Sequence, residues 1–303
     1  MLRLTSIMSV PAKPFRLVAL DLDGTTLNAK HRIADATLEV LRRLSSQGVT
    51  IAICTGRASD SVFDYAKTLA LPQAHLPMVV FNGSVCLLYD NKTGEHQTLF
   101  SKLIEPHASK PLVALAVEQG HVIQLYNAET AEVYASPKTP PHTELLLRYE
   151  HLVERRQVMV SDYDVDVYAQ RCSCFAKMLV LTYEPDQFME VCRERLPQGS
   201  LHMIRGSPDP FFCEFLLPES NKGTALASLC DHLGIPLDQA MAFGDGENDI
   251  EMLTAAGLGV AMSNARPSVK AAANAVTEHS NDDDGVARQL IAFEQSGYFG
   301  ARE

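Results

Sequence analysis

The chain has 303 residues, 46% hydrophobic and 21% charged, enough to build a substantial core in one large domain or two ordinary ones. Its formal net charge of −11 argues against nucleic acid or an anionic membrane as the main partner, because both need a basic footprint. No apolar run approaches the roughly 18 residues of a membrane span.

Residues 1–14, "MLRLTSIMSVPAKP", carry two short apolar clusters but no continuous hydrophobic segment for a secretory signal, and little arginine for a transit peptide. They read as a disordered leader on a cytoplasmic protein. The sequons at Asn82 and Asn91 then carry little meaning. "RLVAL" (16–20) is a short buried strand that runs straight into Asp21 and Asp23. "DATLEVLRRLSSQG" (35–48) spaces Leu38, Leu41 and Leu44 three apart and closes on Gly48, which predicts a helix with a glycine cap. "VTIAIC" (49–54) is the next strand and ends in Thr55, Gly56 and Arg57. A helix over 59–70 follows, then the strand "MVVF" and an Asn82-Gly83 turn. This alternation is the pattern of a parallel α/β sheet of Rossmann-like type.

From 86 to 216 the texture changes. The strands "HVIQLYN", "KMLVLTY", "LHMIRG" and "FFCEFLL" dominate, with the loop clusters "SPKTPPH" and "GSPDP". This segment reads as an α/β domain inserted into the first, so that 1–85 and 217–303 together build the core domain. Met and Phe positions in 178–215 are expected to fill the inserted domain's own core. From 217 the first rhythm resumes with helix "KGTALASLCDHLG", strand "AMAF" (240–243), helix "NDIEMLTAAG", strand "LGVAM", helix "PSVKAAAN", strand "AVT" and helix "GVARQLIAFEQ".

In an open parallel sheet, ligands bind beyond the carboxyl ends of the strands. The polar clusters fall at such ends: Asp21 and Asp23, then Thr55 to Arg57, then Asp245 to Asp249, with Lys222 opening a helix. Two adjacent carboxylates repel each other and need a counter-charge. A hard dication is the simplest, and Mg²⁺ prefers one or two carboxylates plus substrate phosphate oxygens. Asp21, the Asp23 position and Asp245 could supply part of its shell. A free carboxylate titrates near ~4, so Asp21 is ionised at neutral pH and able to attack phosphorus once the phosphate charge is offset.

"DLDGTTL" (21–27), "CTGR" (54–57), "NKG" (221–223) and "GDGENDIEML" (244–253) resemble, in order, the four motifs of the haloacid dehalogenase superfamily of phosphotransferases. "GVAMSNARPSVKAAANAVTEHSNDDDGVA" is similar to the Cof-type sugar-phosphatase subfamily. The resemblance covers the two flanking segments; the middle matches in length and texture. It implies Asp21 as nucleophile and metal ligand, and Asp23 as general acid/base whose carbonyl also binds the metal. It also implies phosphate contacts from Leu22, Thr55, Gly56 and Asn248, charge neutralisation by Lys222, metal ligation by Asp245, and support from Asn82 and Asp249. Arg57 stays open between a substrate contact and a salt bridge or cap contact. Asn221 departs from the pattern, where a small or hydroxyl residue is the commoner choice. Because the long gap lies between Thr55 and Lys222, the resemblance implies a sizeable α/β cap there rather than a helical one.

Plainer readings stand beside these. Asp21 and Asp23 could cap a strand end, Lys222 could be a solvated helix start, and "GDGEND" could be a nucleotide loop, although its third glycine is missing. "NDDDG" (281–285) reads as a solvated acidic loop, or one that closes over the metal. The histidines show no metal-ligand spacing. The seven cysteines are odd in number and lack a C-x-x-C pair, so they read as reduced thiols, Cys172-x-Cys174 included. The expectation is a Mg²⁺-dependent phosphatase, monomeric or a weak homodimer, acting on a small phosphorylated metabolite such as a sugar phosphate through an aspartyl-phosphate. A sugar phosphomutase or a non-catalytic phospho-ligand sensor are the alternatives.

Overall fold

A computed structural model describes residues 13–300 apart from 131, 136, 154–157, 160–173 and 207–210. Most of the expected leader, Cys172 and all but the first residue of "GSPDP" lie outside the described residues. With strands numbered in chain order, the first sheet contains β1 (Leu17–Leu20), β2 (Thr50–Cys54), β3 (His75–Val80), β4 (Val85–Asp90) and β5 (His96–Ser101). It also contains β12 (Ala240–Gly244), β13 (Leu258–Ala261) and β14 (Ala275–Val276), in the order β14-β13-β12-β1-β2-β3-β4-β5. Pairing is parallel from β14 to β3 and antiparallel from β3 to β5.

The central strands are apolar on both faces, as helix-covered parallel strands must be. Val18, Leu20, Ile51 and Ile53 pack against Val40, Leu41 and Leu44 of the helix Asp35–Ser46, and against Leu290 and Phe293 of the helix Gly285–Gln295. Leu17, Ala19, Ala52 and Cys54 face the other way, onto Ala225, Leu226, Leu229 and Cys230 of the helix Lys222–Leu233. The first helix buries Thr37, Val40, Leu41, Leu44 and Ser45, while Leu38 is only half-buried. A 3.6-residue period favours the 37/40/41/44 stripe over a strict three-residue one. The chain leaves it through Gly48 at φ 88°, in the left-handed region the cap requires. The helix expected over 59–70 starts instead as a 3₁₀ turn, Ser59–Ser61, and is α-helical over Phe63–Leu69.

The second sheet holds β6 (Val122–Asn127), β7 (Val133–Ala135), β8 (Val158–Met159), β9 (Phe175–Leu181), β10 (His202–Arg205) and β11 (Phe212–Leu216), in the order β10-β11-β9-β6-β7-β8. Ile123, Leu125, Met178, Val180 and Phe215 pack with Phe188 and Met189 of the helix Pro185–Arg195 and with the helix Pro106–Glu118. The opposite face, including Val122, Tyr126, Leu179 and Leu181, merges with the core of the first sheet. The first sheet runs past residue 85, the boundary expected from sequence, because β4 and β5 hydrogen-bond onto β3 as an antiparallel extension. Every cysteine among the described residues is a free thiol. No helix among them is long and apolar enough to cross a membrane.

Candidate active site

The strand order β12-β1-β2-β3 brings the expected residues together. Parallel neighbours end on the same edge, so Asp245, Asp21, Thr55 and Asn82, each just beyond one of these strands, share that edge. Lys222 arrives from the far end of the chain as the first residue of its helix. Asn221, the departure noted in the sequence, is the N-cap of that helix. Its Oδ1 accepts from Thr224 N at 2.8 Å, and the Thr224 hydroxyl accepts from Asn221 N at 3.4 Å.

At the centre, Lys222 Nζ donates to Asp21 Oδ1 and to Asp249 Oδ1, both at 2.6 Å, in a fully enclosed setting. Asp249 Oδ2 accepts the Asp245 and Gly246 backbone N–H groups at 3.0 and 2.9 Å. Both Asp249 oxygens are therefore engaged, and this residue anchors the lysine and the loop. Asp245 Oδ1 accepts from the Thr25 hydroxyl at 2.7 Å, and the Thr26 hydroxyl donates to the Asp21 carbonyl at 2.6 Å. Gly24, at φ 74°, lies against the Asp245 carboxylate where a Cβ would collide with it.

The electrostatics follow from burial. Desolvation pushes the Asp21 carboxyl well above the usual carboxylate range, and the neighbouring Asp249 adds to this against the opposing pull of Lys222. Burial likewise pushes Asp245 up to about 6, partly countered by the Thr25 hydrogen bond. Burial would lower Lys222, but Asp21 and Asp249 outweigh it and raise the ammonium above its ordinary value. Asp21, Asp245 and Asp249 offer oxygens that all lie within 4.8 Å of one another, with one lysine among them. This excess of buried negative charge on hard oxygen donors suits a dication.

Asp23 sits at the mouth, its side chain 48% exposed. Arg57 grips it through two bonds, Nε to Oδ2 at 2.7 Å and Nη2 to Oδ1 at 2.6 Å. Of the roles left open for Arg57, the structure contains the salt bridge. His31 Nδ1 stands 3.7 Å from Asp23 Oδ1. Leu22 is buried, and its carbonyl accepts the Thr25, Thr26 and Leu27 N–H groups, which closes the turn after β1. Arg57 N donates to Thr55 Oγ1 at 3.2 Å. Asn248 Nδ2 donates to Asn82 Oδ1 at 2.9 Å. The "NDDDG" segment docks on the loop after β1: Asp282 Oδ1 accepts from Ala29 N and Asn281 Nδ2 donates to the Leu27 carbonyl. Its aspartates do not join the buried carboxylate cluster.

Four residues at this site escape the sequence reading. Thr25 and Thr26 follow the aspartates directly, and two hydroxyls beside two carboxylates were a usable signal. Lys177 and Glu214, on β9 and β11, reach the same edge from the second sheet. Their signal was a single charge inside an otherwise apolar strand, which must find a partner when buried.

The chain resembles known proteins over most of its length. The sequence profile of haloacid dehalogenase-like hydrolases matches residues 18–290. A 5-amino-6-(5-phospho-D-ribitylamino)uracil phosphatase of Bacillus subtilis, YitU, is 31% identical over 294 residues, covering 92% of this chain and 97% of the relative. A phosphatase of the haloalkanoate superfamily from Bacteroides thetaiotaomicron superposes with a TM-score of 0.76 at 26% identity, covering 96% of this chain and 99% of that one. A subclass IIB sugar phosphatase of the same superfamily shares the fold, with a TM-score of 0.73 at 23% identity and 92% and 99% coverage.

Proposed function

We propose, for a chain that belongs to the haloacid dehalogenase-like hydrolase family, a Mg²⁺-dependent hydrolysis of sugar phosphates and related phosphomonoesters through an aspartyl-phosphate on Asp21. The protein is a phosphoric monoester hydrolase of small phosphorylated metabolites, as relatives matched along nearly their whole length, YitU among them, are named phosphatases. That naming favours hydrolysis over the mutase alternative. The observation that carries the finer reading is the enclosed Asp21–Lys222–Asp249 triad with Asp245 beside it.

In this reading Asp21, Asp245 and the Asp23 carbonyl hold Mg²⁺, which when bound neutralises charge on the phosphoryl oxygens. Asp249 is left out of the ligand set because its oxygens already hold Lys222 and two backbone N–H groups. Lys222 fixes Asp21 through Oδ1, leaving Oδ2 to attack phosphorus. The Thr55 hydroxyl and the Leu22 and Gly56 N–H groups hold the phosphoryl oxygens, and Asn248 is oriented by Asn82 toward the same group. Asp23 protonates the departing oxygen and then takes a proton from the water that cleaves the aspartyl-phosphate. For the first task it must exchange Arg57 for the leaving-group oxygen, and its half-exposed position permits that. The second sheet and its helices serve as a cap, inserted within 86–216, that selects the leaving group.

The test is release of inorganic phosphate from a panel of phosphorylated metabolites, with Mg²⁺ and with excess chelator. Turnover of sugar monophosphates that stops in chelator and needs no bisphosphate activator is expected. Undiminished turnover in chelator would remove the metal from the reading.

A further inference from the structure

Apart from the Asp21–Lys222–Asp249 cluster, the buried charges among the described residues are Lys177 and Glu214, with side chains 7% and 9% exposed. Glu214 lies opposite Leu179 in the β11–β9 ladder, so Lys177 is its diagonal neighbour on the same face. Nζ and Oε1 are 2.8 Å apart. Their other contacts leave the second sheet or face away from its helices. Lys177 Nζ donates to the Gly56 carbonyl at 3.1 Å and stands 4.8 Å from the centre of the Tyr126 ring. Lys177 is thus held by an ion pair with the carboxylate, a hydrogen bond to the carbonyl and a ring face. Glu214 Oε2 accepts from Asn82 Nδ2 at 3.0 Å, and Asn82 passes the chain of bonds to Asn248.

We infer that Lys177 and Glu214 are positioning residues of the phosphate site, bracing the turns after β2 and β3 so that the second sheet completes the phosphate cradle as well as selecting leaving groups. The inference rests on the phosphatase reading. The peptide between Gly56 and Arg57 is planar, so a carbonyl held by Lys177 also fixes the Arg57 N–H, which donates to Thr55 Oγ1. A hydroxyl oxygen that accepts from that side directs its own hydrogen elsewhere, toward the position assigned to phosphate. The second turn is strained: Phe81 and Asn82 have φ 51° and 54°, the left-handed region that costs a non-glycine residue energy. Phe81 N donates to the Arg57 carbonyl and Asn82 N to the Thr55 carbonyl, which ties this turn to the first. Gly56 sits so close to Asn82 that a Cβ would lie 2.8 Å from its Oδ1. The two turns therefore form one unit, with the ion pair attached to both. Stability alone does not call for such a pair, since apolar residues of similar volume serve a core as well or better.

The test uses the full chain with Lys177→Met, Glu214→Gln and the double substitution. Misplacing a phosphate-holding turn should lower kcat/KM about 10- to 100-fold, by one common factor for p-nitrophenyl phosphate and every metabolite turned over. Inorganic phosphate should bind about tenfold more weakly by calorimetry, and the double variant should lose no more than the worse single one. Should Lys177→Met fail to fold, the isosteric Glu214→Gln supplies the same comparison. Losses that differ among substrates while phosphate affinity holds would make the pair a leaving-group selector and overturn the inference. If the wild type turns over no phosphomonoester, the phosphatase reading fails by itself. The bracing then stands on weaker phosphate binding by the variants, and variants that bind phosphate as wild type does, or a wild type that binds none, overturn it.

Discussion

Replacing Asp245 with asparagine should stabilise the metal-free protein while destroying its metal site. Burial holds this carboxyl at about 6 against an ordinary 3.8. Two units at roughly 1.36 kcal/mol each come to on the order of 3 kcal/mol against the ionised form. Asparagine removes that charge and keeps an oxygen for the Thr25 hydroxyl, which donates to Oδ1 at 2.7 Å. The folded carboxyl has the raised pKa, so between about pH 4 and 6 the folded state binds more protons than the unfolded one. Stability from this group therefore falls as pH rises through that window and stays low above it. In chelator, Asp245→Asn and wild type should melt together near pH 4, and the variant should melt several degrees higher above pH 6.5, at roughly 2–4 °C per kcal/mol. Adding Mg²⁺ should reverse the order, because the wild type gains binding free energy through its intact ligands and the variant does not. The assay is thermal unfolding across pH, with and without metal. A variant that melts lower than wild type in chelator at neutral pH, or a difference that does not change with pH, would refute the reasoning.

Asp21→Asn should fold and have no turnover, since an amide neither attacks phosphorus nor carries the metal charge; residual activity of even a few per cent of wild type would exclude the covalent route. Asp23→Asn keeps its backbone carbonyl and should give a burst of nitrophenol from p-nitrophenyl phosphate approaching one per site, then near-silence, with phosphate on the Asp21 peptide by mass spectrometry. A slow linear release without that mass shift would exclude Asp23 from the second step. Ca²⁺ in place of Mg²⁺ should inhibit, because the larger ion accepts more ligands at longer distances and misaligns nucleophile and phosphorus; equal rates with both ions would count against this. Glu294 is held below the usual carboxylate range chiefly by the hydrogen bonds from Arg43 that join the helices Asp35–Ser46 and Gly285–Gln295. Glu294→Gln should cost about 0.5–1 kcal/mol at neutral pH, a loss that fades as acid protonates the wild-type carboxyl, and denaturant unfolding at two pH values would detect it.

The sequence by itself determined what short-range chemistry can express. Apolar runs ending abruptly in polar residues mark strand ends, so Asp21, Thr55 and Asp245 were readable as neighbours at one sheet edge, and the spacing of Leu38, Leu41 and Leu44 marked the first helix, though only the last two lie on its buried stripe. Strand pairing is a different matter: the apolar run of β4 is compatible with either sheet, and only its hydrogen bonds to β3 assign it to the first. The same limit hid Arg57, which could have met substrate, the cap or a salt-bridge partner that the sequence does not identify, and whose guanidinium is committed to Asp23 by how two loops approach. It hid Lys177 and Glu214 most completely. A lone charge in an apolar strand announces that it needs a partner, but not which one. Gly56 and Asn82 lie more than a hundred residues away in the chain and become partners only when the second sheet lies against the edge of the first.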